Sequence, residues 1–554
     1  MQRGIRSLAN QTFDVLVIGG GIHGAMTAWD AALRGLSVGL IERADFGSGT
    51  SQNSLKIIHG GLRYLQDGNF SRIRTLARER TVWMKIAPHL VHPLPCLLPT
   101  RHQLNRNRLV MSLALRTNDL ISFDRNRTSD PQKRLPDGKI ISRQELSRLL
   151  PGYDARTATG AAVWYDAQIY NSERLLFEFI RSAADAGAQV ANYVEAIDLL
   201  EQEDQITGVR AKDAVTGESF DIHSRVVINC TGAWMNDLLA KAARLSDYAP
   251  SVAMNVIVDQ IWPGIAAGLP SRPTDGRSPQ ILFIVPWQDQ SMIGTWHIPW
   301  KLGPETFRIS EQVVQEFLDE INSAHPALNL SMRDVKHVTW GFLPVNKTET
   351  DRKSVSLVRD GVAIDHQTKE GIAGLISVLG VKYTTARVVA ERAVDLAVKK
   401  LGSRAAKCRT HVTPVKGGHI EDFRAFLQGA LDESPRALDT DLIEHLVYTY
   451  GSEYPDLLQH IRQHPALAYR VDPKLPVTAA EILYAIRHEM ALTLADVIQR
   501  RTELGATGLP FMDVLHRCAD LMACELDWSL ERQQQEIDAV VQAYSFHNLE
   551  QVMM

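Results

Sequence analysis

Three clusters of residues have types and spacing suited to chemistry. The first is Gly19-Gly20-Gly21-Ile22-His23-Gly24, a G-x-G-x-x-G run directly after the apolar segment Phe13 to Ile18. Glycines at these intervals permit a tight turn, let backbone approach a pyrophosphate and let a helix pack closely on its strand, with the phosphates at the helix N-terminus. Gly19, Gly21, Ile22 and Gly24 are therefore candidate nucleotide contacts. Glu42 ends the next apolar segment, where a carboxylate can accept from an adenosine ribose and disfavours a 2′-phosphate. The pattern leaves FAD, NAD and a purely structural turn open.

The second cluster runs from Thr50 to Leu65. Thr50, Ser51 and Ser54 can donate to phosphates, Lys56 adds positive charge, and Gly60-Gly61 lets backbone pass close to a flat ring. Arg63 offers a fork of donors suited to a carboxylate or phosphate. His59 is a candidate neighbour of that ring or a proton acceptor, and equally a packed histidine. In the third, Val226-Val227-Ile228 runs into Asn229-Cys230-Thr231-Gly232-Ala233-Trp234. A strand closing on a Thr-Gly turn can return backbone to a bound dinucleotide, which adds Thr231, Gly232 and Trp234, although an ordinary strand-end turn has the same form.

The elements that must position these groups follow from periodicity. Phe13 to Ile18, the alanine-rich Gly21 to Leu33, and Leu36 to Ile41 read as one βαβ unit. Residues 173–186 read as an amphipathic helix leading into strands near 189–199, 208–211 and 225–229. Alternating strands are expected to dominate from about Ser251 to Val358, with turns at Pro263-Gly264, Asp275-Gly276 and Asp360-Gly361. From Thr384 to Leu401 an apolar stripe, Ala386, Val389, Ala393, Leu396 and Ala397, returns to helical spacing. The expected organisation is an α/β region over 1–402, with an antiparallel-sheet substrate domain (84–165 and 251–358) interleaved into the dinucleotide-binding domain. A linker over 403–419 around Lys416-Gly417-Gly418 and an all-helical domain over 420–554 complete it.

With 554 residues, 45% hydrophobic and 22% charged, the chain is expected to form two or three packed domains rather than extended disorder. A formal charge of -4 gives no global field to recruit nucleic acid. Five dispersed cysteines without a C-x-x-C pair fit a reducing cytoplasm, no disulfide framework and no metal site. Residues 1–12 lack the apolar core of a secretory signal, and no run of about 18 apolar residues suggests a membrane span. Leu109 to Leu115, flanked by Arg101, Arg106, Arg108 and Arg116, reads as a half-buried helix with solvated arginines or as a peripheral contact with a lipid surface.

The stretch Ser54-Leu55-Lys56-Ile57-Ile58-His59-Gly60-Gly61-Leu62-Arg63-Tyr64-Leu65 resembles a segment of the FAD-dependent glycerol-3-phosphate dehydrogenase family, within the DAO flavoprotein superfamily. The resemblance continues through Asn229 to Trp234, Phe283 to Trp287, Ile293 to Thr295, Gly380 to Thr385, Tyr448 to Ser452, Arg487 to Glu489 and Arg500 to Thr502. It implies non-covalent FAD, a secondary alcohol giving hydride to flavin N5, and a quinone or oxygen as electron acceptor. By position it implies that Arg63 and Tyr64 face a small anionic substrate, and that Arg359 and Lys382 bind its phosphate or orient its hydroxyl. Lys382 would also lie beside the flavin, with Ile58, His59, Gly60, Val194, Gly380, Tyr383 and Thr384 among the cofactor contacts.

The chain departs from the family on the substrate side. The family's G-x-R-P is Gly341-Phe342-Leu343-Pro344, so Leu343 stands where a phosphate-binding arginine is expected, at a cost of about 2 kcal/mol or more for phosphate. The expected substrate is glycerol 3-phosphate or an anionic relative such as a phosphonate, carboxylate or polyol derivative. An amine or amino-acid oxidase and a non-catalytic flavin-binding homologue are the alternatives. His460 and His464 have metal-pair spacing but no third ligand, and His488-Glu489 lacks the second histidine of H-E-x-x-H.

Overall fold

Val15 to Ile18 is apolar at every position, the pattern of a strand buried on both faces, and in the computed structural model Thr12–Ile18 is the inner strand of a parallel core. It pairs in parallel with Ser219–Asn229 on one side and Val38–Ile41 on the other, with Val15 facing both Val226 and Val38. The sheet order is Val362–Asp365, Leu375–Leu379, Ser219–Asn229, Thr12–Ile18, Val38–Ile41, Gln189–Ala191. The structure describes residues 1–545 apart from 104–105, 243–245, 273–279, 301–302, 347–356, 359, 403 and 436–437. Arg359 and the Asp275-Gly276 turn thus lie outside the described residues.

The helix Ile22–Leu33 is buried from Ala25 to Ala32 on every face. Alanines there let it pack between Ser172–Asp185 and Ala386–Leu401, with Trp29 against Phe179 at 5.3 Å. A second, largely antiparallel sheet takes strands from two stretches, Val91–Thr100 and Gly160–Ile169 from the first, and Tyr248–Asp259, Ala266–Pro270, Ile281–Trp287, Gln290–Ile298 and Val335–Asn346 from the second. The short strand Ile57–Ile58 joins its edge by pairing with Gly160–Ile169.

Strands dominate 251–358, and the helix Glu311–Ala324, capped by Ser310, lies among them. Its apolar stripe of Val314, Phe317, Leu318 and Ile321 has the i, i+3, i+4, i+7 spacing of a helix laid on a sheet, and Phe317 stacks on Trp296 at 5.3 Å.

The C-terminal part is helical, running from Phe423–Asp432 through Thr440–Tyr450, Ala479–Glu489 and Met512–Leu526 to Leu530–Tyr544. Buried ion pairs join it to the first sheet's domain. Asp45 takes Arg500 at 2.6 Å and Arg501 at 2.7 Å, while Arg174 meets Glu178 and Glu489, each at 2.7 Å. Breaking one partner of such a pair costs about 3–5 kcal/mol, since the other charge stays buried.

Candidate active site

The glycine run turns so tightly that side chains have no room. A Cβ on Gly19, which has φ +103°, would lie 2.6 Å from the Cys230 carbonyl oxygen, and one on Gly24 would lie 1.8 Å from the Gly19 oxygen. The helix Ile22–Leu33 starts at Gly21 with no side-chain cap of its own. Its Ile22 N–H donates to Ser51 Oγ at 2.9 Å, so the Ser51 proton stays available to an anion at the helix end. The Glu42 carboxylate accepts from Gly20 N–H at 2.7 Å and Ala44 N–H at 3.0 Å, and burial pushes it above the usual carboxylate range. Each oxygen keeps a lone pair for ribose hydroxyls. Val194 N–H donates to the Glu42 carbonyl at 2.8 Å, which places Val194 at the same edge.

Across the turn, Thr231 Oγ1 donates to Asn229 Oδ1 at 2.6 Å, and Gly232 follows with φ +62°. Trp234 donates to Glu305 at 2.5 Å beneath the Arg43 guanidinium, 4.4 Å from its ring. Two residues of the 50–65 segment have their groups committed elsewhere. Thr50 Oγ1 donates to the Phe342 carbonyl at 3.0 Å and accepts from Phe342 N–H at 2.9 Å, tying the segment to the second sheet. Lys56 Nζ bonds Ser172 at 2.8 Å and Glu173 at 2.9 Å, 4.5 Å from the Trp287 ring. Ser54 Oγ accepts from Lys56 N–H at 3.3 Å.

The backbone of His59-Gly60 is fixed by Asp166. Its Oδ1 accepts from Gly60 N–H at 2.6 Å and Arg80 at 3.0 Å, and its Oδ2 from Trp164 Nε1 at 3.0 Å. Ile58 is buried opposite Ala167. The loop 380–385 closes against this segment: His59 N–H donates to Thr384 Oγ1 at 3.2 Å, and Tyr383 donates to the Ser51 and Ser172 carbonyls at 3.0 and 3.2 Å. Gly380 rests on the His23 ring, where a Cβ would sit 1.9 Å from Cε1.

Lys382 Nζ donates to Tyr64 Oη at 2.7 Å. Arg72 lies 4.0 Å and Arg63 5.2 Å from the centre of the Tyr64 ring. Burial would raise the Tyr64 phenol, but Lys382 and Arg63 outweigh it and hold the phenol below its ordinary value. Burial and the Lys382 charge lower His59 to about 3, so its ring is neutral. Arg72 also pairs with Asp360 at 3.0 Å. Burial and then Arg63 lower His297 to about 4, and its Nδ1 is buried without a partner. Leu343 faces Ser251 and His297 faces Ala253 in adjoining strand pairs; Ser251 and Ala253 point the same way, so Leu343 and His297 share a face of the second sheet.

A cradle that excludes Cβ atoms, a twelve-residue helix with an uncapped N-terminus and a buried acid at the next strand end fit a dinucleotide such as FAD. Residues 14–396 match the FAD dependent oxidoreductase family model, and 408–533 match the C-terminal domain of alpha-glycerophosphate oxidase. A glycerol-3-phosphate dehydrogenase of Synechocystis sp. is 34% identical, over 91% of this chain and 90% of that one. The chain belongs to the FAD-dependent glycerol-3-phosphate dehydrogenase family. A family member from Mycobacterium leprae is 31% identical over 97% of this chain and 88% of its own. The glycerol-3-phosphate dehydrogenase of Bacillus halodurans, solved with FAD, superposes with a TM-score of 0.75 at 24% identity, covering 97% of this chain and 95% of that one.

As a member of this family the chain is an FAD-dependent oxidoreductase. Sequence reasoning missed Asp166, Arg72, Arg80 and His297. Asp166 had a legible signal, an acid inside the apolar run Ala161 to Ala167. Arg72 and Arg80 had none, being two of several arginines along Phe70–Ile86. Among the described residues no group of three His, Cys, Asp or Glu side chains is arranged to hold a metal, and no helix is long and apolar enough to cross a membrane.

Proposed function

We propose that the enzyme oxidises glycerol 3-phosphate, or a small anionic relative, to the corresponding ketone. The observation that carries this is the meeting of Arg63, Tyr64, Arg72 and Lys382 beside the dinucleotide cradle, a concentration of positive charge around one phenol. Bound FAD supplies the hydride acceptor. Arg63, exposed on its turn, draws in the anion, and the family resemblance would have Arg359, outside the described residues, share it. Lys382 orients the reacting hydroxyl. Leu343 leaves one wall apolar, so the phosphate rests on fewer donors than in relatives that keep an arginine there.

Electrons then pass to a quinone or to oxygen. The helix Arg108–Ile121 supports a membrane contact, because Met111 and Leu115 are buried while Leu109, Leu113 and Leu120 are 83%, 67% and 75% exposed, with Phe123 at 66% beside them. Arginines along the helix would meet anionic headgroups. Anaerobic titration with glycerol 3-phosphate should bleach the flavin at micromolar to millimolar concentrations; no bleaching by it or by other small anionic alcohols would end this reading. Flotation with anionic vesicles tests the surface contact, which Leu113→Glu should weaken.

A further inference from the structure

We propose that Tyr64 Oη accepts the proton of the substrate hydroxyl, with Lys382 as the positioning residue that keeps this oxygen ready to take it. The proposal rests on the substrate class argued above. Oxidising a secondary alcohol releases a proton as well as a hydride, and a side chain within reach of the hydroxyl must take it. The O–H bond breaks and its proton joins the Tyr64 oxygen. The electron pair left behind becomes the second C–O bond, and the carbinol C–H bond departs as hydride, two electrons with its hydrogen, to the FAD.

The other bases near the pocket are occupied or unsuited. Asp166 is saturated by Gly60, Arg80 and Trp164. Asp360 is held by Arg72 at 3.0 Å. His59, whose ring centre is 6.4 Å from that of Tyr64, is neutral but a weak base, its conjugate acid lowered to about 3 by burial and then by Lys382. His297 is lowered to about 4 by burial and Arg63. Tyr64 differs from all of these in its surroundings, with Lys382 Nζ on its oxygen at 2.7 Å and the Arg63 and Arg72 guanidinium groups against its ring, cations that lower the cost of its anion.

Cations face Tyr64 from three elements, while the helix Arg108–Ile121 meets it only with the apolar Ile121. Arg63 comes from its own turn, Leu62–Leu65, Arg72 from the helix Phe70–Ile86, and Lys382 from the loop after Leu375–Leu379. His59, the remaining titratable neighbour, carries no charge against them. Lys382, in direct contact at 2.7 Å, can share its proton with the phenolate without separating charge further. Burial lowers Lys382 as well, so the two groups titrate as a pair.

The test uses FAD-loaded enzyme. Tyr64→Phe should slow flavin reduction by the anionic alcohol by about 10²- to 10⁴-fold, with substrate affinity changed only a few-fold. A Tyr64→Phe enzyme that reduces its flavin within threefold of the parent rate overturns the proposal. Carbon-13 NMR of enzyme carrying ζ-labelled tyrosine, with the Tyr64 signal assigned by its loss in Tyr64→Phe, reads the phenol directly. It should ionise below the ordinary tyrosine value of about 10, and Lys382→Met should move it upward; ionisation at or above the ordinary value in the parent overturns the pair. The titration needs no substrate, so an enzyme that no anionic alcohol reduces defeats the proposed substrate while the Tyr64 signal still rules on the pair.

Discussion

On the dinucleotide side, Gly19 and Gly24 are fixed by backbone atoms and Gly380 by the His23 ring, each closer than any Cβ tolerates. In the cationic cluster, Arg63 and Tyr64 from one turn meet Arg72 and Lys382 from two other segments only through side chains. Backbone built into a turn admits almost no substitution, whereas a wall of side chains can exchange one charge for another without disturbing the fold. Leu343, where the family resemblance leads one to expect an arginine, is the kind of change the second arrangement permits and the first forbids.

The largest effect should come from breaking the cradle. Gly24→Ala drives a methyl into the Gly19 carbonyl, and with no flexible neighbour to yield it should cost more than about 3 kcal/mol. The purified variant should lack flavin absorbance; one that copurifies with FAD at the parent ratio would show the turn to be softer than its contacts imply.

Asp45→Asn removes the acid that holds Arg500 and Arg501 just beyond Glu42, and should cost about 3–5 kcal/mol in urea unfolding. Burial opposes the Asp45 charge, but the two arginines prevail and lower it from 3.8 to about 2. Its contribution is therefore full above the unfolded value and lost as pH falls through the folded one. Acid titration of parent and variant should differ between these limits, the parent losing stability that Asp45→Asn no longer has to lose.

Rebuilding the wall should matter less to the fold and more to the ligand. Leu343→Arg should lower KM for glycerol 3-phosphate about tenfold, the worth of one charge-assisted hydrogen bond partly exposed to water. An unchanged KM would mean that this face of the sheet does not meet the phosphate. The smallest effect on stability should come from His297→Leu. Its Nδ1 is buried without a partner, so melting should shift by no more than about 0.5–1 kcal/mol, in either direction, while substrate affinity changes. A large loss of stability would make His297 part of the core.

The same division explains what could be read from the chain. The G-x-G-x-x-G turn, its strand and its helix were legible because a phosphate cradle is made by consecutive backbone groups, and Glu42 follows at a fixed distance along the next strand. The helix Glu311–Ala324 was not, although Val314, Phe317, Leu318 and Ile321 carry its period, because strong strand patterns on both sides absorbed it. Arg72 lies close to Tyr64 in the chain, but as one of several arginines along Phe70–Ile86 its residue type holds no signal, whereas Asp166 was marked as an acid in an apolar run. Lys56 and Thr50 have residue types that suit a phosphate, yet Glu173 and Phe342 take their bonding groups, a choice made by packing and not by residue type.

The ion pairs of Asp45 set a schedule for the newborn chain. Arg500 and Arg501 follow it by 455 and 456 residues, which a ribosome takes roughly half a minute to a minute and a half to make. Until then a buried carboxylate three residues beyond Glu42 waits without its counter-charges, and a domain begun first is among the last to be finished. Nonsense or frameshift mutations late in the gene would therefore be expected to cost the cell its flavin-loaded protein, even though every residue of the cradle had been translated.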